Sequence, residues 1–196
     1  MTQQTNSPVY TSEEAQNRET FLALMWALSY PGRIYDLPAG TQDELALFSQ
    51  IGHALLDLET TYFTSNAALA PQLKHTAARA HPVESAAYHF YPSISDTDLA
   101  YIEQAPIGTA LFPDQSATLF IGCVSGTLRE QGNDPLLTLQ GPGIKDQQHV
   151  HVSGIPAALW ALCKRAVYPM GWDIFIVDPV GKVIGLPRTT KIEVEE

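Results

Sequence analysis

The chain has 196 residues, of which 45% are hydrophobic, and this is enough apolar material for one domain with a substantial core. Its 11 basic and 21 acidic side chains give a net charge of −10 at pH 7, which argues against direct binding to a nucleic acid backbone. The sequence has no apolar run of about 18 residues and no secretory signal, so no membrane partner is expected. We therefore predict a single cytoplasmic α/β domain over residues 1–196, with residues 1–10 as a flexible lead.

Cys123 and Cys163 are the two cysteines of the chain, and each lies in an apolar segment. Neither has a second cysteine or a histidine at the spacing of a metal site. We therefore interpret both side chains as buried, reduced thiols.

Two amphipathic helices are predicted to precede the first strand. Thr11 and Glu14 have the spacing of a capping box, which predicts a first helix that begins there and ends at Pro31-Gly32. Its apolar stripe is predicted to consist of Phe21, Leu24, Met25 and Leu28. Thr41 and Glu44 repeat the capping signature for a second helix. The apolar stripe of this second helix is predicted to consist of Leu47, Ile51, Leu55 and Leu58.

The next part of the chain alternates strand-like and helix-like segments. The segments 60–64 and 86–91 are rich in β-branched and aromatic residues and are predicted to be strands. The alanine-rich segment 67–80 between them is predicted to be helical, and Ser95 to Asp98 caps a further short helix that ends before Pro106. This alternation indicates an α/β layer.

Two further strands are predicted on either side of a turn at Gly132 to Pro135. Ala117 to Val124 is almost continuously apolar, and Leu136 to Leu139 follows the turn. Because the turn is short, we expect these two strands to pair in antiparallel fashion.

The segment His149 to Val152 alternates like a strand with one face in water. Pro156 is then predicted to open the last helix. Its apolar stripe is predicted to consist of Leu159, Trp160, Cys163 and Val167.

A β-hairpin is predicted around the turn Asp178 to Gly181, whose proline and glycine suit a four-residue loop. The strand before the turn is apolar on both faces, which predicts that both faces are covered. With Val177 opposite Lys182, Arg188 becomes a diagonal neighbour of Asp173 on the same face. This register predicts a structural ion pair between Asp173 and Arg188.

Arg188, Thr189 and Thr190 are the main anion-binding candidates, because a guanidinium group beside two hydroxyls suits phosphate or carboxylate oxygens. In the alternative that we favour, Asp173 already occupies the guanidinium fork. Gly141 and Gly143 are a second anion-binding candidate, although the segment matches neither a Walker loop nor a dinucleotide fingerprint. We favour a tight turn there.

His149 and His151 share one face of a predicted strand and could chelate a metal if a third ligand came from elsewhere. The sequence indicates no third ligand, so we favour a solvated strand face and predict no metal. Neither a Gly-x-Ser-x-Gly elbow nor a His-Glu-x-x-His motif is present, and no catalytic residue is predicted.

Several segments, taken in chain order, resemble the PhnH family, the H subunit of the carbon–phosphorus lyase system for phosphonate use. These segments are Phe21, Ala27–Gly32, Leu55–Asp57, Gly108–Pro113, Ala117–Leu119, Gly141–Ile144, Pro169–Asp173 and Pro187–Thr190. No single segment is specific, and the resemblance depends on their order and spacing over about Phe21 to Val194.

The resemblance implies a three-layer α/β/α sandwich with a mixed sheet, similar to the large domain of pyridoxal-phosphate-dependent transferases but without the cofactor's site. Of the five lysines, only Lys145 follows a strand-end loop of the kind a Schiff-base lysine occupies, and no cofactor is expected. The resemblance also implies a homodimer that joins sister subunits in a larger complex. That complex transfers the ribose triphosphate of ATP to a phosphonate before carbon–phosphorus cleavage on an iron–sulfur radical subunit. Two cysteines cannot hold such a cluster.

Three hypotheses follow. In the leading one, the chain is a non-catalytic or assisting subunit of this assembly, with at most indirect contact to ATP and phosphonate. In the second, it binds ATP or phosphonate directly through Arg188. In the third, it is a stand-alone metal-dependent hydrolase that uses His149 and His151.

Overall fold

A computed structural model describes residues 11–38, 43–124, 128 and 135–195. The α-helices in these residues are α1 (Ser12–Ser29), α2 (Glu44–Leu55), α3 (Ala70–Leu73), α4 (Asp96–Ile102) and α5 (Ala157–Arg165). The strands are β1 (Tyr35–Asp36), β2 (Thr61–Thr64), β3 (Arg79–Ala80), β4 (Tyr88–Tyr91), β5 (Thr118–Gly122), β6 (Leu136–Gln140), β7 (Gln148–His151), β8 (Asp173–Val177), β9 (Lys182–Leu186) and β10 (Lys191–Glu195). None of the helices in this part of the chain is long and apolar enough to cross a bilayer.

The strands form two sheets. The main sheet has seven strands in the order β1-β9-β8-β5-β4-β2-β3. Its strands β3, β2, β4, β5 and β8 run parallel, whereas β9 is antiparallel to β8 and β1 is antiparallel to β9. The second sheet has three antiparallel strands in the order β10-β6-β7. The prediction of an α/β fold with a mixed sheet is confirmed.

The main sheet is covered on both faces, as the two apolar faces of β8 predicted. On one face, Phe175 and Val177 belong to a core cluster with buried residues of α1 and α2. On the other face, Ile174 and Ile176 belong to a second cluster with residues of α5 and of the small sheet. The second outer layer therefore contains a β-sheet as well as helices, which differs from a sandwich with helices alone on both sides.

The predicted antiparallel pairing of the strands after residues 117 and 136 is wrong. Strand β5 lies in the middle of the main sheet, parallel to β4 and β8, whereas β6 pairs with β7 and β10 in the small sheet. A strand that is apolar on both faces is buried best between parallel neighbours, and this long-range burial outweighs the local turn signal. Of that predicted turn, residues 132–134 lie outside the described residues.

The first helix begins as predicted, because Thr11 and Glu14 form the capping box. Its predicted apolar stripe is correct for Leu24 and Leu28, which pack in the core, and wrong for Phe21 and Met25. The buried residues of α1 are Thr20, Ala23, Leu24 and Ala27. Phe21 and Met25 are instead 49% and 37% exposed. The reason is close packing: a Cβ atom on Gly185 of β9 would lie 2.6 Å from the Ala27 backbone, so the helix and the strand approach each other closely at Ala27.

Four other helix predictions need correction. The N-cap of α2 is Asp43, whose side chain accepts a hydrogen bond from Leu45, and Thr41 lies outside the described residues. Helix α2 ends at Leu55, so Leu58 is 73% exposed. The segment 67–80 contains only the four-residue α3, one 3₁₀ turn and β3. At the end of α5, Val167 lies beyond the last helical residue and is 70% exposed.

The hairpin forms where predicted, but its register is shifted by one residue. Val177 pairs with Val183, not with Lys182. Asp178 donates its N–H to the Lys182 carbonyl, which leaves a three-residue loop in which Gly181 has φ +90°. A three-residue hairpin loop of this kind ends in a residue with positive φ. The predicted loop is therefore one residue longer than the observed loop.

We expect Gly185→Ala to lower the free energy of unfolding by about 1–3 kcal/mol, because the new methyl group meets the fixed Ala27 backbone. Gly52→Ala is the matched control, since a Cβ there meets the flexible end of the Leu73 side chain. In Gly52→Ala, the better helix propensity of alanine, about 1 kcal/mol, offsets part of the cost of displacing the Leu73 side chain. Chemical denaturation measures both variants, and equal losses would contradict the proposed packing of α1 on β9.

Candidate functional site

An open groove of about 750 Å³ lies between α5 and β10. Its lining residues are Pro142, Cys163, Lys164, Ala166, Tyr168, Arg188, Thr189, Thr190, Lys191, Ile192 and Glu193. Three of these side chains are basic and one is acidic, in a chain whose net charge is −10. The groove is therefore a locally basic site on an acidic protein.

Arg188 stands at the centre of this region and is held by two other segments. Its Nη2 lies 2.5 Å from Asp173 Oδ2 and its Nε lies 3.3 Å from Asp173 Oδ1. The backbone N–H of Arg188 also donates to Asp173 Oδ1, at 2.9 Å, and Nη1 donates to the carbonyl of Pro113. The fork is thus engaged by a carboxylate and a carbonyl, which leaves only outer N–H groups for a ligand.

This ion pair forms despite the shift in hairpin register. In the observed register Ile174 lies opposite Leu186, so Arg188 lies beyond the end of β9. Thr190 donates its N–H to the Pro187 carbonyl, which closes a turn at this point. That turn brings the Arg188 backbone N–H, as well as the guanidinium, to the Asp173 carboxylate.

The loop that carries Pro113 is fixed to the same place. Gly171 donates its N–H to the Ile107 carbonyl at 2.9 Å, and the Trp172 indole donates to the Ala105 carbonyl at 3.3 Å. A Cβ atom on Gly171 would lie 3.2 Å from Arg188 Cβ. The segments 105–113, 169–173 and 187–190 therefore meet at one corner of the protein.

Gly141 and Gly143 belong to one turn, and each packs closely against a different segment of the chain. Ile144 donates its N–H to the Gly141 carbonyl and Gly143 has φ +85°, as in a type II turn with Pro142 at its second position. A Cβ on Gly141 would lie 2.8 Å from the Thr189 carbonyl oxygen. A Cβ on Gly143 would instead lie 2.7 Å from the Ser29 carbonyl oxygen at the end of α1. Pro142 of this turn lines the groove, whereas neither glycine does.

Arg188, Thr189 and Thr190 all line the groove, and the Thr190 hydroxyl is buried with no hydrogen-bond partner among the described residues. Lys164 and Lys191 also line it, and the sequence reasoning did not assign them to a site. Strand β10 was not predicted, although Ile192 and Val194 alternate with charged residues. That alternation was the signal that could have placed Lys191 beside the last helix.

The two histidines proposed for a metal lie on β7, away from the groove lining. The Thr138 hydroxyl donates to Glu195 Oε1 at 3.2 Å, so its oxygen accepts from His149 Nδ1 at 3.1 Å. No group of three histidine, cysteine, aspartate or glutamate side chains that could hold a metal occurs in the described residues. The described geometry gives no support to a hydrolase that uses His149 and His151.

Both cysteines are reduced thiols, but they differ in position. Cys123 is buried, whereas Cys163 is partly exposed and lines the groove. Burial raises the pKa of the Cys163 thiol to about 12. Since the thiolate is the nucleophilic form, Cys163 is a packing residue at neutral pH.

The side chains of His89 and Tyr91 on β4 form a second, buried set of polar groups. His89 is fully buried, and its Nε2 lies 3.1 Å from the Ala86 carbonyl, which can only accept, so Nε2 carries the proton. Nδ1 then accepts from the Tyr91 hydroxyl at 3.1 Å. Burial lowers the pKa of His89 to about 4, against the smaller raising effect of the bond to Ala86. This network is closed to solvent and is structural.

The comparisons with known proteins agree on one family. A family model described as "Bacterial phosphonate metabolism protein (PhnH)" matches residues 8–193. A curated relative from Stutzerimonas stutzeri, named "Putative C-P lyase subunit protein HtxG", is 32% identical over 189 residues. The match covers 93% of this chain and 89% of the relative.

We expect Arg188→Ala to lower the free energy of unfolding by about 2–3 kcal/mol, because it leaves the largely buried Asp173 carboxylate without its counter-charge. Arg165→Ala is the control: its pair with Glu103 is exposed, and its loss costs at most about 1 kcal/mol. Thermal and chemical denaturation measure both. Unchanged melting of Arg188→Ala would contradict the structural role of the pair.

We also expect acid to destabilise the protein through His89. Its pKa is about 4 in the folded chain and 6.5 when unperturbed, so the unfolded chain takes up the proton first as pH falls. Stability is therefore lost between pH 6.5 and pH 4, by about 3 kcal/mol.

Denaturation at pH 7 and pH 4 measures this loss in comparison with His89→Gln, whose amide can replace both hydrogen bonds. The variant should lose less stability over this interval, whereas the exposed-site control His75→Gln should follow the unmodified chain. If the free energy of unfolding fell by the same amount between pH 7 and pH 4 in the unmodified chain and in His89→Gln, a buried neutral His89 would be refuted.

Proposed function

The chain belongs to the PhnH family of bacterial phosphonate metabolism proteins, and on that premise we propose that it is an assembly subunit of a carbon–phosphorus lyase complex. In this role it supports transfer of the ribose triphosphate of ATP to an alkylphosphonate and does not supply the catalytic residues. Its partners are the sister subunits of the complex, and it forms a homodimer when isolated.

The observation that carries the proposal is the outward face of α1. Phe21, Met25, Trp26 and Tyr30 are between 37% and 49% exposed on this helix. Phe21 and Met25, like Trp26 and Tyr30, are four residues apart and so are neighbours along the helix surface. The Trp26 and Tyr30 rings are stacked with centroids 5.7 Å apart, and the Arg33 guanidinium lies 4.9 Å from the Tyr30 ring centre. We call Phe21, Met25, Trp26 and Tyr30 the α1 stripe.

The composition of the α1 stripe favours a protein partner. Tryptophan, tyrosine, phenylalanine, methionine and arginine are the residue types enriched at protein–protein interfaces. A contiguous apolar patch that remains exposed on a folded domain marks an interaction surface. Since the curated relative is named as a C-P lyase subunit, we assign the stripe to contact with a sister subunit.

The alternative in which the chain binds ATP or phosphonate directly through Arg188 is less well supported. Two of the three guanidinium nitrogens are engaged by Asp173 and the third donates to Pro113. Calorimetry with ATP, and with methylphosphonate, tests it. Binding that the unmodified chain shows and that a folded Arg188→Lys variant lacks would favour this alternative.

The likeness to the large domain of pyridoxal-phosphate-dependent transferases remains part of the proposal. It is supported by the mixed sheet with parallel central strands. Lys145, the lysine closest to a Schiff-base position by sequence, is exposed and does not line the groove. Cytoplasmic location and homodimerisation also stay predictions, the latter open to light scattering on the isolated chain.

We expect the double variant Phe21→Ser, Trp26→Ser to recover sister subunits at least about tenfold less well than the unmodified chain, because it removes two large anchors from the stripe. A tagged chain expressed with its sister subunits in cells that use phosphonate measures this by quantitative mass spectrometry. Leu58→Ser is the control, since Leu58 is also an exposed apolar residue but lies outside α1. Equal recovery by both variants would argue against the α1 stripe as the contact surface.

A further inference from the structure

We propose that the groove between α5 and β10 binds an extended segment of another polypeptide, which adds a fourth strand to the small sheet at the free edge of β10. This inference rests on the proposed function, because the segment is assigned to a sister subunit of the complex. It names a second contact surface, separate from the α1 stripe.

The pattern of lining residues shows that the groove follows the edge of β10. Successive side chains of a strand point to opposite faces, so a cavity above one face is lined by every second residue. Here Lys191, Ile192 and Glu193 are consecutive residues of β10, and all three line the groove. Consecutive residues meet one cavity when the cavity runs beside the strand, where the backbone N–H and C=O groups are.

The backbone at this edge is open to a new partner. Strand β10 is the outermost strand of the small sheet and pairs with β6 along its whole length, from Lys191 to Glu195. Within the described residues no strand pairs with its other edge. An extended peptide binds such an edge through main-chain hydrogen bonds, and pockets beside the edge select its side chains.

The walls of the groove define the chemistry of the segment. Cys163 and Ala166 of the α5 wall and Ile192 of β10 are apolar and suit small apolar side chains. Lys164 and Lys191 suit acidic side chains, and Glu193 suits a basic one. The expected segment therefore alternates small apolar residues with charged ones and carries an acidic residue next to Lys191.

A small anion fits the groove less well. The Arg188 guanidinium, the strongest phosphate-binding group present, is already held by Asp173 and Pro113. A nucleotide would also leave the β10 edge unpaired. The charged side chains of β10 oppose pairing with arbitrary strands, which is the expected property of an edge that accepts one partner.

The test compares recovery of sister subunits and amide hydrogen exchange for the assembled complex. Ala166→Phe fills the groove, and Ala161→Phe places the same ring on an exposed position of α5 that does not line it. Lys191→Glu reverses a charge in the groove, and Lys145→Glu does so on an exposed loop elsewhere. Thermal melting establishes that each variant is folded.

We expect the amides of 191–195 to exchange more slowly in the complex than in the isolated chain. We also expect both groove variants to reduce subunit recovery by about tenfold, whereas both controls leave it unchanged.

If the unmodified chain recovers sister subunits, but groove variants recover them equally and the β10 amides gain no protection, this inference fails and the proposed function stands. If the unmodified chain recovers no sister subunit, both fail. Protection of 191–195 by ATP or methylphosphonate alone would overturn the assignment to a peptide.

Discussion

The hydrogen-bonded ion pair of Arg188 with Asp173 is the interaction on which the rest of this region depends. One guanidinium group joins the start of β8, the turn after β9 and the Pro113 carbonyl, three segments that are distant in sequence. Because the pair is largely shielded from water, each partner would be costly to leave unpaired. The turn that Arg188 fixes leads directly into β10, so the position of the groove wall follows from this contact.

Most of the segments that carry the family resemblance are far apart in the chain but contact one another in the fold. A Cβ on Gly32 would lie 2.4 Å from Leu139 Cδ1, and one on Gly143 would meet the carbonyl of Ser29. Gly141 is packed against Thr189 in the same way, and Gly171 against Arg188. Each glycine permits a close approach of two segments. Five of the motif segments therefore form one connected corner of the structure and not a set of separate binding loops: Ala27–Gly32, Gly108–Pro113, Gly141–Ile144, Pro169–Asp173 and Pro187–Thr190.

Local signals in the sequence predicted local features well. The capping boxes at Thr11 and Ser95 both form, because they depend only on residues three apart. The hairpin register failed by one residue, since a glycine at positive φ shortens the loop in a way that composition does not reveal. The groove was missed because its two walls, α5 and β10, are separated by a complete hairpin, and only the fold brings Lys164 near Lys191.

Helix α1 buries Leu24 beside the smaller Thr20, Ala23 and Ala27, but it leaves the aromatic residues Phe21 and Trp26 exposed, unlike an ordinary surface helix. Under the proposed assembly role, the solubility of the chain depends on the supply of the sister subunit that covers the α1 stripe. A copy made in excess of its partners would keep a tryptophan, a tyrosine and a phenylalanine in water, where such surfaces promote aggregation and attract chaperones. Under the proposed assembly role, balanced production of the chain and its partners is therefore expected.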